Sequence, residues 1–203
     1  MWTANKTDSA LPGRAHRALR EHTRPLHEAL DAAMPLASLT QRDGYVHLLL
    51  MNWPCVPIEL ALEQAGVRDL LPDWELRRRR FDLAGDLAAL QITPPAAQPL
   101  EVEADTATLL GWSYVLEGSR LGAKLILRTV QSGGTAEILR ATRFLMHGRG
   151  TDFWGSFRAA LTAIDDDPGA IAAACNGACA AFERFIDSGA SSRRAQLLAG
   201  ETI

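Results

Sequence analysis

His27 is the residue in this sequence best placed to do chemistry. It stands in the run Leu19-Arg20-Glu21-His22-Thr23-Arg24-Pro25-Leu26-His27-Glu28-Ala29-Leu30-Asp31. In a helix, residues three, four or seven apart share a face, so Arg24, Arg20 and Asp31 lie on the side of His27. A neutral imidazole is a good axial ligand for haem iron. Asp31, as acceptor for the second ring nitrogen, would fix tautomer and ring orientation. Arg20 and Arg24, two turns and one turn away, could receive propionates as charge-assisted pairs. The same four residues also fit an exposed helix face that happens to carry a histidine. Pro25 lacks a donor and crowds the carbonyl four residues back, so the helix either kinks there or begins at Arg24.

A second cluster is Gly111-Trp112-Ser113-Tyr114-Val115-Leu116-Glu117-Gly118-Ser119-Arg120-Leu121-Gly122-Ala123. A glycine inside a helix costs up to about 1 kcal/mol relative to alanine. Gly118 and Gly122, four apart, stack on one face. Such a pair serves where a backbone bends, where something flat lies against it, or where two helices cross closely.

The elements that must position these clusters read as helices. Alternation is scarce, and Ala, Leu, Arg and Glu dominate. The pattern predicts a first helix over residues 14–34, behind a loose leader at 1–13. A second runs over 41–65 with a break at Pro54 and Pro57. A short element over 74–90 carries the arginine run, and residues 91–103 form a Pro-rich surface connector. A long helix over 104–130, interrupted at Gly118 and Gly122, is followed by helices over 136–146, 152–161 and 170–187. Ser188-Gly189 should end the last one and leave 188–203 as a flexible tail. The expectation is one all-α, multi-helix domain over 14–187, with no internal repeat.

Composition narrows the function. The chain has 203 residues, 47% of them hydrophobic, and a net charge of −3, which favours one ordinary globular domain and gives no support to nucleic-acid binding. The basic run Arg77, Arg78, Arg79, Arg80 between Trp74 and Phe81 reads as a solvated helix face. The most apolar stretch, 45–62, contains His47, Pro54, Pro57 and Glu59, which makes a poor membrane span. The first residues lack the apolar centre of a signal peptide. Cys175 and Cys179 lie one turn apart without a completing His or carboxylate and read as small buried residues. Cytoplasmic location is the default.

The first cluster resembles the proximal-helix motif of haem oxygenases, through Leu-Arg-Glu-x-Thr-Arg-x-x-His. Tyr-Val-Leu-Glu-Gly-Ser-x-Leu-Gly, from Tyr114 to Gly122, resembles the distal-helix motif of that family's bacterial branch, which includes enzymes that supply biliverdin to bacteriophytochromes. The stretch 143–161, with Gly148, Gly150, Trp154 and Phe157, and the Ala-rich pattern leading to Phe182 and Phe185 are similar to later parts of that branch. The resemblance spans roughly residues 14–187.

It implies a haem oxygenase-like bundle that cleaves haem to biliverdin, carbon monoxide and ferrous iron, using O2 and electrons from a ferredoxin or reductase. Haem is then both substrate and cofactor, and a bacteriophytochrome is a candidate acceptor of the product. His27 becomes the proximal iron ligand, Asp31 the partner of its ring, and Arg20 and Arg24 the propionate side. Gly118 and Gly122 are the glycines that bring the distal helix close to the haem face. Ser119 stands where the animal enzymes carry an aspartate that orders distal water, so Glu117 or Arg120 could organise water there. Tyr114 belongs to the same motif, and Arg149, between Gly148 and Gly150, could be a further propionate partner.

Some features depart from the family. Pro54 and Pro57 fall where relatives keep an unbroken helix. Met146-His147-Gly148 replaces an aromatic-rich ending, and His147 reads as a surface residue. His22 reads as solvent-exposed, while His16 and His47 have no partner visible in the sequence. Competing readings are a non-enzymatic haem carrier or sensor on the same fold and a thiaminase-like hydrolase using Cys55. A di-iron carboxylate bundle is disfavoured because no Glu-x-x-His motif is present. A purely structural helical module would leave His27, Gly118 and Gly122 unexplained.

Overall fold

The computed structural model describes residues 13–200, so all of the expected leader except Gly13 lies outside the described residues. Among the described residues every regular element is helical, as the sequence predicts. The first predicted helix is divided: α1 (Arg14–His22) stops at Thr23 and α2 (Arg24–Ala33) restarts beside it. The cause is Pro25, which sits in the first turn of α2, where its missing N–H is not needed. Thr23 bridges the junction, its hydroxyl donating to the Leu19 carbonyl at 2.8 Å.

After a 3₁₀ turn at Leu36–Thr40, α3 (Arg42–Met51) and α4 (Cys55–Gln64) form the second predicted helix, broken at Asn52, Trp53 and Pro54. Residues 42–64 have the length and apolarity of a membrane span, but 61% of the most apolar window is buried inside the fold. Three helices follow as α5 (Val67–Leu70), α6 (Trp74–Arg77) and α7 (Arg80–Ala89), then the connector up to residue 105, which is irregular as predicted and pinned by Trp53 Nε1 donating to the Pro95 carbonyl at 2.9 Å.

The central element is α8 (Thr106–Gly133), 28 residues long, N-capped by the Asp105 carboxylate on the Thr108 N–H. The predicted interruption at Gly118 and Gly122 is absent: the helix runs through both. Two glycines lower local helix propensity by a kcal/mol or so each, which packing against neighbouring elements overrides. The predicted helix over 136–146 is instead two single turns, α9 (Ala136–Leu139) and α10 (Arg143–Met146). α11 (Phe153–Leu161) is capped by Asp152, whose carboxylate accepts from the Gly155 N–H at 2.9 Å. The last helix, α12 (Pro168–Gly200), does not stop at Ser188-Gly189. Gly189 is buried against Met51, and a Cβ there would come within 3.1 Å of the Met51 side chain, so the glycine serves close helix packing and not a stop. α12 lies along α8 and α3 and also receives α1 and α2.

Two further expectations are corrected. The arginine run is not a solvated face: it spans the α6–α7 junction, and the Arg77 and Arg79 side chains are buried. His147 is not a surface residue: it is half-buried, with Nδ1 2.7 Å from Asp82 Oδ2 and Nε2 2.9 Å from the Leu76 carbonyl.

Candidate functional site

α2 is unusual in contributing no fully buried residue, although Leu26 and Leu30 pack half-buried against the core. His27 lies on it with 47% of its side chain exposed, Nδ1 3.2 Å from Asp31 Oδ2 and its ring edge-on to Phe182 of α12 at 5.9 Å. The i, i+4 pairing read from the sequence is therefore made. Arg20 and Arg24 are exposed and form no ion pair among the described residues. Arg20 lies close enough to Tyr114 to favour its ionised form, and Tyr114 also meets the Thr23 side chain, while burial pushes its hydroxyl pKa up. The start of the His27 helix thus abuts α8 directly.

α8 changes character along its length. Its first half is buried on nearly all sides, whereas Gly118, Gly122, Leu125, Ile126 and Thr129, at i, i+4, i+7, i+8 and i+11, form a half-open face. Leu125 is 46% exposed, a large apolar residue without cover. A Cβ on Gly122 would meet nothing within 4 Å, and one on Gly118 would reach only Trp154, at 3.8 Å. This stripe offers a bare backbone and apolar side chains to a flat ligand. A depression of about 240 Å³ lined by Gly13, His16, Gly155 and Arg158 includes none of these residues and is smaller than a usual ligand pocket.

Beside the open stripe, α8 is fastened by buried charge. Ser119 Oγ donates to the Leu116 carbonyl at 2.8 Å and accepts from Arg79 Nη2 at 2.6 Å. The same Arg79 nitrogen reaches the Leu116 carbonyl at 2.9 Å, and the guanidinium lies 4.7 Å over the Phe144 ring. Burial, with Arg120 nearby, pushes the Arg79 pKa down to about 10. Glu117, 1% exposed, takes Arg77 Nη1 at 2.9 Å and Arg120 Nε at 3.0 Å. Arg77 also holds Asp73 at 2.6 Å, the Phe153 carbonyl at 3.1 Å and Ser156 at 2.7 Å. Arg120 bonds the Arg77 carbonyl, and its Nη1 is buried without a hydrogen-bond partner among the described residues. On the far side Glu59, whose pKa burial pushes up, accepts the backbone N–H of Arg79 at 2.7 Å, while Arg80 pairs with Glu63 at 2.6 Å. Arg77, Arg79 and Arg80 thus meet α4, α8, α10 and α11 through carboxylates, carbonyls and a ring.

Of the residues read from the sequence, the structure joins His27 to Asp31, and sets Arg20 and Tyr114 at the junction of α1, α2 and α8. Gly118 and Gly122 line one open face, and Ser119, Glu117 and Arg120 enter the charged cluster. Arg149 is exposed in a loop whose flanking Gly148 and Gly150 both take positive φ, at 69° and 90°. The sequence reading missed Arg77, Arg79, Glu59 and Phe182. One signal was present: Glu59 and Glu63 are i, i+4 on an otherwise apolar helix, a pattern that calls for cationic partners. Cys55 is fully buried and its thiol pKa is pushed well up by desolvation, which argues against a cysteine nucleophile.

The Heme oxygenase family model matches residues 64–189 of this chain. That span includes Gly118, Ser119 and Gly122 but not His27. The chain is similar to the crystal structures of the NO- and CO-bound heme oxygenase from Neisseria meningitidis, with a TM-score of 0.73 and 23% identity over 90% of this chain and 92% of that one. No curated protein matches the chain.

Proposed function

Because the chain belongs to the haem oxygenase family, we propose that it binds haem on His27 and cleaves it oxidatively to biliverdin, carbon monoxide and ferrous iron. The observation that carries the reading is the His27–Asp31 pair, on a helix that buries none of its residues, together with a glycine stripe on α8 that is open for at least 4 Å beyond Gly122. These residues fit a porphyrin: an imidazole with one nitrogen oriented by a carboxylate, exposed arginines within a turn or two, and a bare apolar helix face.

Bound haem supplies the redox iron and the ring that is consumed. The chain's own residues do the rest. Asp31, 3.2 Å from His27 Nδ1, would accept from Nδ1–H, leaving Nε2 to hold the iron, and would raise its donor strength. Arg20 and Arg24 orient the substrate by pairing with its propionates, with Arg149 as a further partner. Gly118 and Gly122 permit backbone approach that any side chain would prevent. Ser119 has its proton engaged by the Leu116 carbonyl, so towards a water it acts as an acceptor only. Tyr114, Glu117 and Arg120 hold the distal helix at the set distance. Electrons come from a ferredoxin or reductase in the cytoplasm, and a bacteriophytochrome is a fitting acceptor for the product.

The test is a haem titration of the wild-type protein and of His27→Ala, followed by ascorbate in air. A Soret band that changes in the variant and bleaches towards biliverdin absorption in the wild type supports the reading. His27-dependent binding that does not turn over even with a ferredoxin system would make the protein a carrier or sensor. Absence of binding would overturn the proposal.

A further inference from the structure

We propose that the distal end of α12, residues 188–198, is a strut that positions the His27 helix, with Arg193 as its positioning residue; the functional weight of this rests on the haem reading of His27. α2 buries no residue fully: Leu26 and Leu30 pack half-buried against the core, and α12 is its main neighbour, so α12 is the element that fixes it. The beginning of α2 is tied by the buried Thr23. Its end has no basic residue of its own to meet the last carbonyls, which lack intrahelical partners. Arg193 fills that role from α12, with Nη2 donating to the Ala33 carbonyl. A cation at the negative end of a helix is stabilising as well as bonded.

Arg193 is held in place because the strut docks along α3. Ser188 Oγ donates to the Leu50 carbonyl at 2.8 Å, Ser192 Oγ lies 3.2 Å from His47 Nδ1, and Gln196 Nε2 donates to the Asp43 carbonyl at 2.9 Å. The partners descend α3 as the residues ascend α12, so the two helices run antiparallel. Gly189 permits the approach, since a Cβ there would press on Met51 at 3.1 Å. The same rigid helix carries Phe182 against the His27 ring. One element therefore touches both His27 and the end of the helix that bears it. The family match ends at residue 189, so the strut beyond Gly189 lies outside the region that the family model describes.

The experiment compares the full-length wild type with Arg193→Ala and Arg193→Lys, first without haem, by amide hydrogen exchange. Arg193→Ala is expected to speed exchange in the last turn of α2 about threefold, the scale of one exposed helix-end cation, with α8 and total helix content unchanged. Arg193→Lys should recover part of the protection. With haem bound, the alanine variant should release haem to a scavenging apoglobin faster by a similar factor. Unchanged exchange in α2 overturns the strut. Changed exchange with unchanged haem release, in a wild type that needs His27 for haem, overturns its positioning role. If His27→Ala binds haem as the wild type does, the reading of His27 fails, while the exchange result still judges the strut.

Discussion

Arg79 Nη2 lies 2.6 Å from Ser119 Oγ, and the same nitrogen holds the Leu116 carbonyl one turn earlier in α8. A fully buried guanidinium from the α6–α7 junction is thus clamped onto the central helix one residue after Gly118. No carboxylate lies within ion-pair distance of it among the described residues; its charge is met by dipoles and by the Phe144 ring. Replacing Arg79 by Met should remove that charge but strand Ser119 and leave the packing over Phe144 altered. Loss of stability of about 2–3 kcal/mol is expected, the range for breaking buried hydrogen bonds to a charged group, measured by urea unfolding. Ser119→Ala should cost roughly 1 kcal/mol. Equal losses in both variants would show that the serine bond is all that Arg79 contributes.

Glu117 shows the opposite dependence. It is the carboxylate shared by Arg77 and Arg120. Glu117→Gln leaves Arg120 without a carboxylate and Arg77 with Asp73 alone, and removing one member of a buried pair costs about 3–5 kcal/mol. Thermal unfolding should shift down by roughly 6–20 °C for a chain of this size. A shift under two degrees would mean that water already compensates the cluster.

Gly122 separates folding from ligand binding. Gly122→Ala should raise the stability of the haem-free protein by about 0.5–1 kcal/mol, because nothing meets the added Cβ and the helix gains propensity. Gly122→Leu should likewise fold, yet lose most haem affinity by filling the face that the substrate needs. Full haem binding by the leucine variant, read from the Soret titration, would move the substrate away from this stripe.

His47 gives stability a pH dependence. It is buried beside Ser192, and desolvation followed by the Arg193 charge lowers its pKa from the ordinary 6.5. Below that value the unfolded chain binds a proton that the folded chain resists. Its contribution is therefore present above about pH 6.5 and is lost as the pH falls towards the lowered folded value. Denaturant midpoints between pH 7 and 5 should fall more steeply for wild type than for His47→Gln. Parallel profiles would place the proton sensitivity elsewhere.

How much of this was legible in the sequence depends on the range of the interactions. Helical class, the irregular connector and the His27–Asp31 pair are set by residues within a few positions of one another, and periodicity and composition report them directly. Pro25 announced a break or restart, and Thr23 is where it falls. The Gly118–Gly122 pair was visible as well, but not that α8 would run through it, since burial of the α8 face, and not local propensity, decides that. The arginine run was misread because a row of like charges is normally solvated. Only the fold brings Glu59, Glu117, Asp73 and Ser119 from other elements to meet it. The continuation of α12 past Ser188-Gly189 has the same origin: glycine disfavours a helix locally, but contact with Met51 and His47, some 140 residues earlier in the chain, repays it. The sequence alone determined the helical class and nominated the residues proposed here to hold haem. The tertiary structure decided which charges were buried, which helix face stayed open and what braces the helix of His27, because those depend on desolvation and packing between segments far apart in the chain.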